Sequence, residues 1–382
     1  MNFSFEENDI IKIYKYLHSI PEPEFQEFKT SEYILEFLTE LGLKPVRCAK
    51  TGVYADIEGT KNSDKLFLIR ADIDALPLNE ESGVDFASSN KGYMHACGHD
   101  MHTACLLYAA KALCENCNLF SGTVRVLFQP AEEGTGGALP MISEGAAEGV
   151  TASIAMHVDP LEALGTLIYL DGSITASPDD FKVNIKGKGG HGAEPENCIN
   201  PLVAGAEIIK VYSEIKNNYF SDKDCVVSVC TINGGSFNNI IPDNVEITGT
   251  ARAFEADVRF SLRDKLKELA FETGNKFGVD IDFEYNELYP PTINSPVINS
   301  VVVKASEKIT EITNIKSLDR GSMTGDDFAY FAEICPSSYF RFGVGGSGVR
   351  YPLHSSKFKI DTSALMPACK LLVYSSIEYL NN

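Results

Sequence analysis

Apolar residues recur at helical spacing near the start of the chain: Ile10, Ile13, Tyr14 and Leu17, then Tyr33, Leu35, Phe37, Leu38 and Leu41. Positions three and four apart share one helix face, so this spacing predicts helices with a buried side. Pro21 and Pro23 divide the stretch in two, because proline lacks the donor a helix interior needs. Gly42 ends the second helix. Short β-rich runs follow at Val53–Ile57, Leu66–Ile69, Val124–Phe128 and Ser153–Met156, with a helical stretch at Met101–Cys114 between the second and third. Tyr339–Val344 is a later strand, and Ala364–Tyr379 closes the chain with helical periodicity. Strands alternating with helices predict an α/β layer architecture with a largely parallel sheet.

Residues 179–290 carry a different rhythm. Phe181–Ile185, Cys225–Thr231, Val245–Phe254 and Val279–Tyr285 read as strands, and Leu202–Ile215 and Arg259–Phe277 as helices. The order βαββαβ is that of a ferredoxin-like α+β unit. It interrupts the α/β pattern, which resumes after Pro290–Pro291, so two domains are expected: 1–178 with 291–382, and an inserted 179–290. A smaller inserted domain suits a lid.

The length of 382 residues suits two domains, and 44% hydrophobic content is ample for a large core. The net charge of −20 disfavours a nucleic-acid partner, since it repels phosphate. No apolar run is long enough for a bilayer, and the start MNFSFEENDI lacks the features of a secretory signal. The expectation is a cytoplasmic protein whose ten scattered cysteines are free thiols. Cys114 and Cys117 are read as ordinary thiols, and His18 as a helix-end residue.

The chemistry-bearing residues gather in five short segments. HACGHDMH (95–102) holds Cys97 and His99 around a tight Gly98 turn, a spacing that can aim a thiolate and an imidazole at one cation. QPAEEGTGGA (129–138) follows a strand and carries Glu132 and Glu133. RADIDALP (70–77) places Asp72 beyond another strand, AMHVDP (155–160) places His157 at the end of a third, and YPLHSS (351–356) carries His354. Each could be structural alone. Together they put metal-type ligands at one edge of a parallel sheet, where such folds bind their ligands.

At these motifs the chain resembles the aminoacylase and hippurate hydrolase family of dinuclear metallopeptidases. The likeness runs from HSIPEPEFQEFKT (18–30) to LHSSKF (353–358). The resemblance implies a catalytic domain with a mixed, largely parallel sheet flanked by helices, and a lid that also forms a homodimer. It implies two divalent ions held by Cys97, His99, Glu133, His157 and His354, with Cys97 bridging; a donor set of Cys, His and Glu suits zinc, manganese, cobalt and nickel. His99 supplies the nitrogen that more distant relatives place at the position of Arg70. Glu132 is implied as the general base, and Asp72 as the residue that orients a ligand imidazole. His191 would steady the oxyanion from a neighbouring subunit, and Asn239 and Arg252 would meet the substrate carboxylate, for which a guanidinium is well shaped. His102 is expected to help orient its loop without being a ligand. One departure is Gly325-Asp326-Asp327-Phe328, where the family has Ser-Glu-Asp-Phe. The activity implied is hydrolysis of the amide bond of an N-acyl amino acid, with action on short peptides as a dipeptidase or carboxypeptidase the alternative.

Overall fold

The computed structural model describes residues 6–348 and 350–382. The chain passes in order through α1 (Glu7–Ser19), α2 (Phe28–Glu40), β1 (Val46–Cys48), β2 (Gly52–Glu58), β3 (Lys61–Asp72), α3 (His99–Glu115), β4 (Ser121–Gln129), β5 (Ala152–Ala163) and β6 (Thr166–Tyr169). It continues through β7 (Ser177–Lys186), α4 (Pro201–Ser213), β8 (Cys225–Gly234), β9 (Asn244–Ala253), α5 (Ala256–Phe277) and β10 (Asp280–Asn286). It finishes with α6 (Pro296–Ser306), β11 (Asn314–Ser317), β12 (Ser337–Gly345) and α7 (Leu365–Asn381).

Two compact units result. The first comprises the chain through Gly172, Ile293–Arg320 and Asp327–Asn382; the second comprises Ser173–Thr292 and Gly321–Asp326. Each has its own apolar core.

The first unit is built on an eight-stranded mixed sheet in the order β1-β2-β4-β3-β5-β12-β6-β11. Its four central strands, β4, β3, β5 and β12, are mutually parallel, and antiparallel pairings lie on either side of them. Strands β4, β5 and β12 are buried along most of their length and β3 over its second half, as expected where a sheet is covered on both faces. Helix α3 is almost wholly buried, and its Leu106, Leu107 and Leu113 join the main core with α1 and α7. The sequence pattern located the core of every central strand but missed the edge strands β1, β6 and β11 and the helix α6. The edges are short and partly exposed, so they carry little hydrophobic periodicity. Helix α6 did carry a start signal, a serine followed by proline at its first turn.

The second unit is an antiparallel sheet in the order β8-β9-β7-β10, with α4 and α5 packing on it through Ala204, Ile208, Tyr212, Leu262 and Leu266. This is the βαββαβ arrangement anticipated from the pattern. Buried Asp179 anchors it: the carboxylate accepts two bonds from Arg259 (2.7 and 2.6 Å), one from the Tyr285 hydroxyl (3.0 Å) and one from the Leu288 amide (3.1 Å). The two ends of the inserted segment meet. Ile174 N–H donates to the Thr292 carbonyl (2.9 Å), and the Thr175 hydroxyl donates to that of Thr292 (2.7 Å).

Candidate metal centre

The ends of parallel strands β3 and β4, the interior of β5 and two loops build the site in the first unit. Strand β3 delivers Asp72 as its last residue, and the chain turns so that Asp74 follows on the same side. Both carboxylates approach His99, at 3.7 Å from Nε2 and 3.4 Å from Nδ1. Gly98 adopts φ 84° and caps α3, placing Cys97 and His99 on either side of the turn. A Cβ at Gly98 would sit 2.5 Å from Val158, so glycine is required by both conformation and space. His157 lies inside β5 rather than at its end. The strand runs on to Ala163 because β12 keeps pairing with it through a register shift between Gly343 and Gly345.

After β4 the chain makes a left-handed turn at Ala131 (φ 59°), which costs a residue with a Cβ about 1–2 kcal/mol. Two backbone amides then point at one carboxylate: Glu132 N–H donates to Asp74 Oδ1 and Glu133 N–H to Asp74 Oδ2, each at 3.0 Å. His354 also has a left-handed backbone (φ 62°), held by its own N–H donating to the Ala96 carbonyl.

The five expected ligands come together. Cys97, His99 and His157 form one group whose donor atoms lie within 4.8 Å of one another, and Cys97, Glu133 and His354 form a second. The two groups share only Cys97. Glu132 joins His99 and Glu133 in a third such group. Tautomers follow from the partners. His99 Nδ1 must donate to the Asp74 carbonyl (2.9 Å) and His157 Nδ1 to the Val158 carbonyl (2.8 Å), which leaves each Nε2 as a lone-pair donor to a cation. His157 Nε2 stands 3.4 Å from the Cys97 sulfur. Among the described residues, His99 Nε2 is buried with no hydrogen-bond partner, as a ligand atom for a cation is left, and Glu133 Oε1 is buried 3.1 Å from His354 Nε2. Burial alone would lower the His99 pKa, but Asp72 and Asp74 outweigh it and push it up to about 10, so the surrounding acids favour positive charge at Nε2, as a proton or as a metal cation that replaces it. Burial pulls His157 down to about 3, aided by His102, so that imidazole is neutral. Burial pushes the Cys97 thiol up, and Glu133 and Glu132 push it further, so its thiolate calls for a nearby cation. The donor set, one thiol, three imidazoles and a carboxylate, fits borderline divalent metals.

Asp72 departs from the expectation. Its imidazole partner is His102 (Oδ1 to Nδ1, 2.5 Å), not one of the expected ligands, and Arg70 holds its other oxygen at 2.6 Å. His102 Nε2 accepts the Val158 N–H at 3.0 Å, so both its nitrogens are engaged and it has none for a metal. Arg70 is likewise committed to the framework, bonding Gln129 (2.9 Å) and Asp327 (3.0 Å) besides Asp72. Asp327 in turn accepts from Gln129 and from the Ala138 amide (3.0 Å). Sequence reasoning missed Asp74, Gln129 and Asp327 as builders of the site. Asp74 was visible as the second acid of RADIDALP; Asp327 gave no local signal. His18 is more than a helix-end residue. It is buried, with Nδ1 at 2.6 Å from Asp100 and Nε2 at 2.9 Å from Glu80.

In the second unit, His191 and Asn239 are brought side by side. His191 pairs with Ile240 in a short antiparallel ladder, and Gly192 N–H donates to the Asn239 carbonyl (2.8 Å). Both are exposed, and the His191 ring accepts the Ala193 N–H at 3.0 Å. Arg252 lies on β9, half-buried, opposite Pro178 of β7. Asp326 is buried in this unit. Cys114 and Cys117 are free thiols.

Residues 68–376 match Peptidase family M20/M25/M40. The chain belongs to that family. It is 37% identical to an N-acetyl-L-cysteine deacetylase of Bacillus subtilis, over all of this chain and 91% of that protein. It is 36% identical to thermostable carboxypeptidase 2 of Saccharolobus solfataricus, over 98% of this chain and 96% of that one. Among solved structures, the Bacillus subtilis YXEP protein, described as a dinuclear metal-binding peptidase of the M20 family, superposes with a TM-score of 0.86 at 30% identity, covering 98% of each chain.

Proposed function

We propose that this M20/M25/M40 family member removes the acyl group from N-acyl amino acids, with Glu132 as general base. The observation that carries the reading is the pair of donor groups, Cys97–His99–His157 and Cys97–Glu133–His354, joined through Cys97 and lying beside Glu132. Two divalent ions bound there would acidify water and polarise the amide carbonyl. Glu132 groups with His99 and Glu133 but belongs to neither of those two donor groups, and its carboxylate is assigned to take a proton from the attacking water. It then passes that proton to the departing amine, which is otherwise a poor leaving group. Glu133, the next residue, has its carboxylate kept charged: burial raises its pKa, but His354 and His99 lower it further. Asp74 holds the backbone of both glutamates, so the base and the neighbouring ligand are positioned as one piece.

His191 is assigned to the oxyanion, and Asn239 and Arg252 to the substrate carboxylate. Asp72 sets the orientation of His102 and, through its second oxygen, of Arg70. The chain is proposed to work as a homodimer through the second unit. Ten free cysteines favour a reducing compartment, and the cytoplasm is proposed as its location. No described helix is long and apolar enough to cross a membrane. Zinc, manganese, cobalt and nickel all remain suited to the donor set. Acyl-group removal is favoured by the deacetylase relative; the carboxypeptidase relatives support a second reading in which a short peptide is cleaved by the same residues.

The test is a panel of N-acetyl amino acids, benzoyl-glycine and dipeptides, run with each metal and with Glu132→Gln. Turnover of acyl amino acids is expected, and Glu132→Gln should bind the wild-type complement of metal while losing about 100-fold or more in kcat. Substantial turnover by that variant would remove Glu132 from its role.

A further inference from the structure

The N-terminal segment Pro21–Phe28 is acidic and lies far in sequence from the metal motifs, yet its carboxylates reach the loop that carries the base. Glu24 accepts the Thr135 N–H at 2.8 Å. Glu27 is fully buried, and its Oε1 accepts two amides, Phe25 and Ala131, each at 3.0 Å. Its Oε2 accepts the Thr51 hydroxyl at 2.6 Å. Ala131 is the left-handed residue from which Glu132 departs.

We propose that Glu27 is a positioning residue for the general base, fixing the turn at Ala131 from which Glu132 is presented. The inference rests on the base assignment made above. Three consecutive amides, those of Ala131, Glu132 and Glu133, are divided between two carboxylates from separate segments: Glu27 takes the first and Asp74 the next two. Asp74 also touches His99, so its loss would disturb a metal ligand directly. The partners of Glu27 are Phe25, Thr51 and Ala131, none of them a ligand, so its effect passes through the loop backbone. The turn needs this hold because Ala131 is buried and in a conformation its own side chain disfavours. Burial pushes the Glu27 carboxyl up to about 7, against the pull of the Thr51 and backbone donors. Either protonation state still offers an oxygen to the two amides. Glutamine would do the same, with its NH2 donating to the Thr51 oxygen. Aspartate is one methylene too short.

The experiment uses the full-length, metal-loaded chain carrying Glu27→Gln, Glu27→Asp or Glu27→Ala. It reads kcat and KM on an N-acetyl amino acid, metal content, and amide hydrogen exchange across residues 129–135. Glu27→Gln should stay within about 3-fold of wild-type kcat, while Glu27→Asp and Glu27→Ala lose about 10-fold or more with KM within about 2-fold and metal content unchanged. Exchange at Ala131 should speed up in the last two only. Wild-type kcat in Glu27→Ala would overturn the proposal, as would an equal loss in Glu27→Gln, which would make charge rather than position the cause. Metal loss parallel to the loss of kcat would also overturn it. If Glu27→Ala does not fold, Glu27→Asp and Thr51→Val decide by the same readouts, the latter with a smaller loss. Should the wild type turn over no substrate, the functional reading fails, and exchange at Ala131 alone judges Glu27: unchanged protection in the variants rejects it.

Discussion

Asp74→Asn removes one oxygen from a carboxylate whose two oxygens each serve a different amide. Oδ1 takes the Glu132 N–H and Oδ2 the Glu133 N–H, both at 3.0 Å. Asparagine has one oxygen and one NH2, so whichever way it rotates, one buried amide faces another donor. Leaving a buried donor unsatisfied costs about 1–3 kcal/mol. The same carboxylate stands 3.4 Å from His99 Nδ1, so the variant also weakens the field that favours a cation at His99. Removing a group that orients metal ligands typically lowers metal affinity about 10- to 100-fold. The expected outcome is an unfolding free energy lowered by about 1–3 kcal/mol in the metal-free chain, and metal surrendered to a competing chelator at a concentration about 10- to 100-fold lower than wild type requires. Urea titration followed by chelator competition measures both. A variant with wild-type stability that holds its metal as firmly as wild type would refute the idea that Asp74 sets the two glutamates.

Cys97→Ala should lose metal together with activity, because the thiol belongs to both donor groups; full metal content by elemental analysis would place Cys97 outside the coordination sphere. Asp179→Ala strands the buried Arg259 guanidinium and two further donors in the second unit, and should cost about 3–5 kcal/mol in chemical unfolding; a loss under about 1 kcal/mol would show the pair to be dispensable. For His18, burial lowers the pKa, but hydrogen bonds to Asp100 and Glu80 outweigh it and push it up to about 9. Its protonated form therefore adds stability that is complete below the unfolded value near pH 6.5 and is lost as pH rises through about 9. Burial raises the Glu80 pKa, but bonds from His18, Ser82 and Ser88 bring it down to about 2, so its contribution is complete above the unfolded value of about 4.5 and fades as pH falls toward 2. The difference in stability between wild type and His18→Gln should be largest between about pH 4.5 and 6.5 and shrink by pH 9.5; a difference independent of pH would contradict the assignment.

How far the sequence reached depends on the scale of the interaction. The short β-rich runs Val124–Phe128 and Ser153–Met156 located strands whose burial is continuous, and helical spacing located α3 and α7. Cys97, His99, Glu133, His157 and His354 were legible because metal-type residues are few and sit in motifs at turns and strand ends; the structure brings all five together. The partners that hold them were not legible. Asp327 meets Gln129 and Arg70 across 198 and 257 positions of sequence, and Glu27 meets Ala131 across 104, so no local pattern encodes either contact. Asp72 was tied to a ligand imidazole and instead meets His102, a choice between neighbouring histidines on one helix that only coordinates resolve.

The joining of Ile174 and Thr175 to Thr292 has an evolutionary corollary. A segment whose entrance and exit touch can be spliced into, or cut out of, a host by bridging a gap of a few residues. Ancestors lacking the stretch between them would have kept every donor of the cluster around Cys97, because all of those residues are encoded outside it. Substrate range could then diversify by remodelling a module that carries His191, Asn239 and Arg252 while the metal-donor cluster stayed untouched.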